Sequence, residues 1–258
     1  TDKKISVIQD LLPLLEQVQL DAGAVKLTDV RDTAQAIDAA IESIRSGENQ
    51  ILMKGTVSTG TLLKHALDRT RGLNIGRLAS HLIVLQIPGL DRLLISTDGG
   101  LNIAPTLTEK ADILRNAIDV ARALGIETPK IACIAPSEQL LPSVISSTEG
   151  ALLAKMGDRG QLGNVIIDGP LSLDVALYKD VAEHKKVKGS SVAGDPDCLL
   201  FPNLESANVF FKSVTHLCGG ELAAMVAGTK VPCVLTSRGD TSKTKLYSIA
   251  LACLAVKQ

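Results

Sequence analysis

The chain has 258 residues, 45% apolar and 21% charged, with a formal net charge of −1. That suits a globular chain of one large or two modest domains with a substantial core. Aromatics make up only 2%, with no Trp and no basic block, so stacking platforms for nucleic acid are not expected, and no apolar run approaches the roughly 20 residues that span a bilayer.

Ile5, Ile8, Leu11, Leu12 and Leu15 recur at helical spacing, broken near Pro13. Ala24–Leu27 reads as a short strand, Thr28–Ile44 as an amphipathic helix and Gln50–Met53 as a strand ending at Lys54-Gly55-Thr56. Ser58–Leu67 is helical and opens on good capping residues. His81–Ile87 and Leu93–Ser96 flank the turn signal Pro88-Gly89-Leu90-Asp91 and predict an antiparallel ribbon. Thr97-Asp98-Gly99-Gly100 ends the second run, and Asn102 to Thr106 reads as a non-repetitive crossing.

Alternation restarts with a helix over Thr108–Leu124, which Thr108 could cap and Gly125 follows. Lys130–Ala135 is a strand, Ser147–Lys155 a helix and Val165–Ile167 a strand closing in Asp168-Gly169-Pro170. Ser172–His184 is a helix, Cys198–Pro202 a strand and Leu204–His216 a helix. Glu221–Ala227 is a shorter apolar segment of unassigned type. Val231–Leu235 is a buried strand that breaks at Thr236-Ser237-Arg238-Gly239-Asp240 and feeds a helix from about Thr241. Such a strand–turn–helix is a common anion site in α/β sheets, because hydroxyls, a guanidinium and free N–H groups converge there. An ordinary turn with a solvated Arg238 fits the spacing equally well.

Strands alternating with helices predict an α/β fold with mostly parallel sheets. The ribbon and the Pro105 crossing place a boundary near residue 105. The expected division is 1–104 plus 226–258 as a discontinuous first domain and 105–225 as a second. Of five cysteines, Cys133, Cys198, Cys233 and Cys253 sit in apolar runs and read as reduced core thiols of a cytoplasmic protein; none makes a CxxC or metal-ligand spacing. The four histidines are dispersed. No secretory-signal pattern is visible, and since the chain opens at Thr1, an initiator Met and a few further residues are expected before it.

Three late segments resemble a known family: GPLSLDVAL (Gly169–Leu177), VAGDPDCLLFPNLESANVFFKS (Val192–Ser213) and VPCVLTSRGDTSKTKLYSIALA (Val231–Ala252). Two earlier ones agree, ILMKGTVSTGTLLK (Ile51–Lys64) and ISTDGGLNIAPT (Ile95–Thr106). Together they are similar to the phosphate acetyl/butyryl transferases, most of all to the phosphate butyryltransferase branch with its branched-chain phosphotransacylases. The resemblance implies reversible acyl transfer between coenzyme A and inorganic phosphate. It also implies two α/β/α domains like those of isocitrate and isopropylmalate dehydrogenases, with an active-site cleft between them. Members are homodimers or larger, and no metal or permanently bound cofactor takes part; coenzyme A is a substrate.

That chemistry needs a phosphate site, an oxyanion donor and a group to manage the thiol proton. Arg238 suits phosphate, being permanently charged and bidentate, and Ser237 can donate to the oxyanion; the resemblance gives both those roles. Asp240 could be the base or a helix N-cap. Lys54, Thr56, Ser58 and Thr59 could contact phosphate or coenzyme, or simply cap a helix beside a solvated lysine. Lys64 stands where acetyl-type relatives carry arginine, keeping charge without the fork. Asp98 and Asn102 fit a substrate loop or a structural turn, and Lys212 could meet the nucleotide end of coenzyme A. His216 receives no role. The leading expectation is a butyryl or branched-chain acyl group; acetyl-CoA is the alternative. A metal-dependent decarboxylase of the same fold would need clustered aspartates, and these acids are scattered. A coenzyme-binding paralogue without turnover is the non-enzyme alternative.

Overall fold

The computed structural model describes residues 17, 19, 21, 23, 25–237 and 239–256. The helical spacing at Ile5–Leu15 lies outside them. Residues 26–30 are not a strand, against the expectation for Ala24–Leu27: the run meets no strand partner among the described residues and stays partly exposed. Helix α1 (Thr33–Arg45) starts later than expected, because Asp32 rather than Thr28 caps it, accepting the Gln35 N–H at 2.9 Å. Strand β1 (Leu52–Met53) leads to α2 (Thr59–Ala66), capped by Ser58.

The predicted ribbon is β2 (Ser80–Gln86) paired antiparallel with β3 (Leu93–Thr97). Helix α3 (Leu107–Ala123) begins at a capping box of Thr106 and Glu109, not at Thr108. The Thr-x-x-Glu spacing satisfies two N-terminal donors at once, which Thr108 cannot do. Then follow β4 (Lys130–Ile134), α4 (Ile145–Asp158) and β5 (Ile166–Leu171). The single helix expected over Ser172–His184 is split into α5 (Leu173–Leu177) and α6 (Lys179–His184), since Tyr178 between them is extended. Strand β6 (Cys198–Leu200), α7 (Leu204–Leu217), β7 (Glu221–Ala227), β8 (Cys233–Val234) and α8 (Ser242–Ala255) complete the order.

The α/β class holds, and the strands join in one sheet of order β1-β8-β7-β2-β3-β6-β4-β5. Pairs β1/β8, β3/β6, β6/β4 and β4/β5 are parallel. Between these two parallel blocks, β8, β7, β2 and β3 pair antiparallel. On one face Leu82, Val84 and Ile131 of the sheet pack with Ile113 and Leu114 of α3 and Leu153 of α4 in one buried cluster. Each such side chain contributes about 1.5–3 kcal/mol on burial. The opposite face is filled by Leu94, Leu171, Val175, Leu199 and Phe201.

Cys133, Cys198 and Cys233 are buried as expected, and burial pushes the first up to about 12, the third to about 11, and the second higher still. Cys253 is a correction: it is exposed, like Cys218. Helix α8 is apolar on several sides, but only one side, with Ser248, Leu251 and Ala252, meets the sheet.

Candidate active site

Strand β8 meets β7 at one register position, Cys233 opposite Val226. Along the rest of that edge, helix α8 takes the place of a strand. Ser248, fully buried, accepts the Ala224 N–H at 2.9 Å and donates to the Thr244 carbonyl at 2.8 Å. An edge N–H that would otherwise be orphaned is thus satisfied by the helix. The result is positional: residues 235–237 and 239–241 and the start of α8 overhang one face of β7 and β2.

Side chains alternate on that face. His81 and Ile83 from β2, with Leu222, Ala224 and Val226 from β7, line a cleft of about 790 Å³. Register sets His81 opposite Val226 and Ile83 opposite Ala224. Helix α7 supplies one wall through Phe211, Lys212 and Thr215, and the turn supplies another through Ser237, Asp240 and Thr244. The volume is in the range of small-molecule sites.

The turn is closed from within. Ser237 donates its N–H to Asp240 Oδ2 at 2.6 Å, and the Asp240 N–H returns to the Ser237 carbonyl at 3.2 Å. Ser237 is itself exposed, with its Oγ 3.4 Å from the Gly239 N–H. Thr241, not Asp240, is the N-cap of α8, accepting the Thr244 N–H at 3.1 Å. Of the two sequence readings of Asp240, the helix cap therefore belongs to its neighbour. Arg238 lies outside the described residues.

Asp98 is 3% exposed and fully engaged. Its Oδ1 accepts the N–H groups of Gly100 and Leu101, both at 2.9 Å; its Oδ2 accepts the His81 N–H at 3.2 Å and Asn102 Nδ2 at 2.6 Å. Asn102 also donates to the Ala79 carbonyl at 2.9 Å. The pair braces the Gly99-Gly100 loop against the cleft floor. A Cβ on Gly100 would stand 2.9 Å from His81 Nδ1, and one on Gly99 2.8 Å from Ile83 Cδ1, so only glycine lets the loop lie this close.

Thr59 and Lys212 also line the cleft, whereas Lys54, Thr56, Ser58 and Lys64 do not. Lys54 Nζ instead lies 3.4 Å from the Val57 carbonyl, Ser58 caps α2, and Lys64 is exposed. Sequence reasoning missed His81 and the Lys243–Glu221 ion pair at the rim, where each partner's hydrogen bond raises the amine and lowers the carboxyl. His81 had a signal: it is an ionisable residue at the head of the buried run HLIVL. Burial pushes its imidazole below the usual histidine value, and the fields of Asp98 and Asp240 oppose that shift. Among the described residues no group of three or more His, Cys, Asp or Glu is placed to hold a metal ion.

The family model described as phosphate acetyl/butaryl transferase matches residues 19–253. A phosphate butyryltransferase from Clostridium beijerinckii is 42% identical over 246 residues, covering 95% of this chain and 81% of that protein. The crystal structure of a branched-chain phosphotransacylase from Enterococcus faecalis V583 superimposes with a TM-score of 0.81 at 32% identity, over 90% of this chain and 83% of that one. A 4-hydroxythreonine-4-phosphate dehydrogenase from Klebsiella pneumoniae shares the fold alone, with a TM-score of 0.50 at 12% identity over 87% of this chain and 70% of that one.

Proposed function

The chain belongs to the phosphate acetyl/butaryl transferase family, and from that premise we propose that it moves a butyryl or branched-chain acyl group between coenzyme A and inorganic phosphate. Transfer of short-chain acyl groups to phosphate is the family's reaction, with coenzyme A as the other substrate. The observation that carries the acyl preference is the apolar cleft floor of Ile83, Leu222, Ala224 and Val226, beside a polar turn. An apolar floor favours a chain of several carbons by removing more hydrocarbon from water.

We assign Ser237 as donor to the carbonyl oxygen as it gains charge, a contact typically worth about 3 kcal/mol in the transition state. Arg238, next in sequence, is assigned to phosphate as a bidentate partner. Asp240 holds the turn that presents Ser237. Lys212 is assigned to the coenzyme's phosphates; it has no ion-pair partner among the described residues and lines the cleft. Thr59 faces the same space, while Lys54, Thr56, Ser58 and Lys64 support the α2 end of the site. Asp98 and Asn102 shape the loop beneath it.

In this reading residues 1–104 plus 226–258 form one lobe and 105–225 the other, joined through the antiparallel middle of the sheet. The enzyme works in the cytoplasm as a homodimer or larger assembly; no described helix is long and apolar enough to cross a membrane. The test supplies acetyl-, butyryl- and isobutyryl-CoA with phosphate and follows thiol release. Butyryl- or isobutyryl-CoA should have the highest kcat/KM. Preference for acetyl-CoA overturns the acyl assignment, and no phosphate-dependent release from any overturns the activity.

A further inference from the structure

His81 has features that none of these assignments use. Its ring sits in the cleft between the Gly100 backbone and the edge of Phe211, whose ring centroid is 6.5 Å away. Its Nδ1 is closed off from solvent and has no hydrogen-bond partner. Nδ1 faces the Gly100 backbone, where even an added Cβ would stand 2.9 Å away, so it is the other side of the ring that a substrate atom can meet. The cleft's carboxylates are engaged: Asp98 by four donors, Asp240 by the Ser237 N–H, and Glu221 by Lys243. Lys212 on α7 and Lys243 on α8 are cations, and His216 on α7 is exposed at the rim. The ring's other nitrogen, Nε2, makes no hydrogen bond among the described residues and is not closed off, so His81 presents an unengaged basic nitrogen to the cleft. Desolvation, working against the fields of Asp98 and Asp240, favours its neutral form.

We propose that His81 is the catalytic residue that carries the coenzyme thiol's proton, a role that rests on the acyltransferase reading. When acyl phosphate is consumed, the imidazole takes the S–H proton as sulfur bonds to the carbonyl carbon. The carbon–oxygen bond to phosphate breaks, and the imidazolium gives that proton to the departing phosphate, which leaves as hydrogen phosphate. In the other direction the imidazole takes the proton of hydrogen phosphate as its oxygen attacks the thioester, then delivers it to the departing thiolate. Atoms and charge balance without a further reactant.

The test compares wild type with His81→Gln, using butyryl phosphate and coenzyme A from pH 6 to 9. At pH 7 the variant's kcat falls roughly 10²–10⁴-fold, and its KM for coenzyme A changes less than about threefold. The deficit then shrinks nearly tenfold between pH 7 and 8 and about threefold more by pH 9, as the thiol, with a pKa of about 8.5, ionises unaided. A deficit constant across that range, or a variant within about threefold of wild type, overturns the proposal. Absence of turnover in the wild type overturns the acyltransferase reading as well, so the two failures are distinguishable. Should the variant fail to fold, the His81 ring is followed by NMR in the wild type. Coenzyme A should shift its titration while the desulfo analogue does not; identical effects of both also overturn the proposal.

Discussion

Replacing Asp98 by Asn changes one atom and leaves volume nearly constant, so its cost can be read from hydrogen bonds alone. The amide oxygen can keep the Gly100 and Leu101 N–H groups, both at 2.9 Å. The amide nitrogen then occupies the place of Oδ2, where it faces two donors, the His81 N–H at 3.2 Å and Asn102 Nδ2 at 2.6 Å. Each buried donor left unpaired costs about 1–3 kcal/mol. Asn102 is only half-buried and can turn toward water, so we expect a loss of about 2–4 kcal/mol, a large share of a typical 5–15 kcal/mol. Urea unfolding should show a lower midpoint with an unchanged slope, and the melting temperature should drop by about 10 °C. Activity should fall in kcat, because the Gly99-Gly100 loop loosens and His81 loses an anion that favours its protonated form. KM for phosphate and coenzyme A should stay within about threefold. A stability loss below about 0.5 kcal/mol, or a tenfold rise in either KM without lost stability, would refute the argument and make Asp98 a substrate contact.

Ser248→Ala leaves the Ala224 N–H without its acceptor inside a fully buried contact, so chemical denaturation should register a loss of about 1–3 kcal/mol. Gly100→Ala places a methyl 2.9 Å from His81 Nδ1; displacement of the ring should lower kcat by up to about 10²-fold, while circular dichroism stays unchanged. Lys110 pairs with Glu149 at side-chain exposures of 5% and 17%, so Lys110→Met should destabilise by roughly 3–5 kcal/mol and Lys110→Met with Glu149→Gln by much less. The depressed His81 pKa makes the unfolded chain bind a proton that the folded one refuses. Stability should therefore decline as pH falls from about 6.5 toward the folded pKa, and His81→Gln should flatten that decline in melting curves.

The order of helices and strands was legible because most segments follow periodicity and end in residues with strong local preferences. Ser58 capping α2 and the Pro88-Gly89 ribbon turn depend only on neighbours in sequence. What escaped depended on partners far along the chain. Glu221–Ala227 could not be typed, since its strand state comes from pairing with Ser80–Gln86 about 140 residues earlier. Helix α8 has apolar residues on several sides, so periodicity could not say that Cys253 would be exposed. In the site, Ser237 and Asp240 were visible as a polar break after a strand. His81 was not, because its importance comes from Gly100, Phe211 and the turn closing around it. Lys54, Thr56 and Ser58 share the strand-to-helix turn with Thr59, and Lys64 enters through the family resemblance, but sharing a turn does not make side chains share a direction, and of the five only Thr59 lines the cleft.

The cleft itself follows from a mismatch of lengths. Strand β7 has seven residues and β8 has two, so most of the β7 edge has no strand neighbour. An open edge of that kind must be covered or satisfied in a folded protein. Here α8 covers it, with Ser248 supplying the acceptor that a longer β8 would have supplied. Helix α8 can lie there only if the chain turns sharply after Val234, and residues 235–237 and 239–241 are the described part of that turn. The same requirement that closes the sheet edge thus sets Ser237 and Asp240 over His81 and the apolar floor. Lengthening β8 would satisfy the edge equally well and remove the turn from the cleft. The short strand is therefore tied to the site's chemistry through backbone hydrogen bonding, without any contact between β8 side chains and the substrate space.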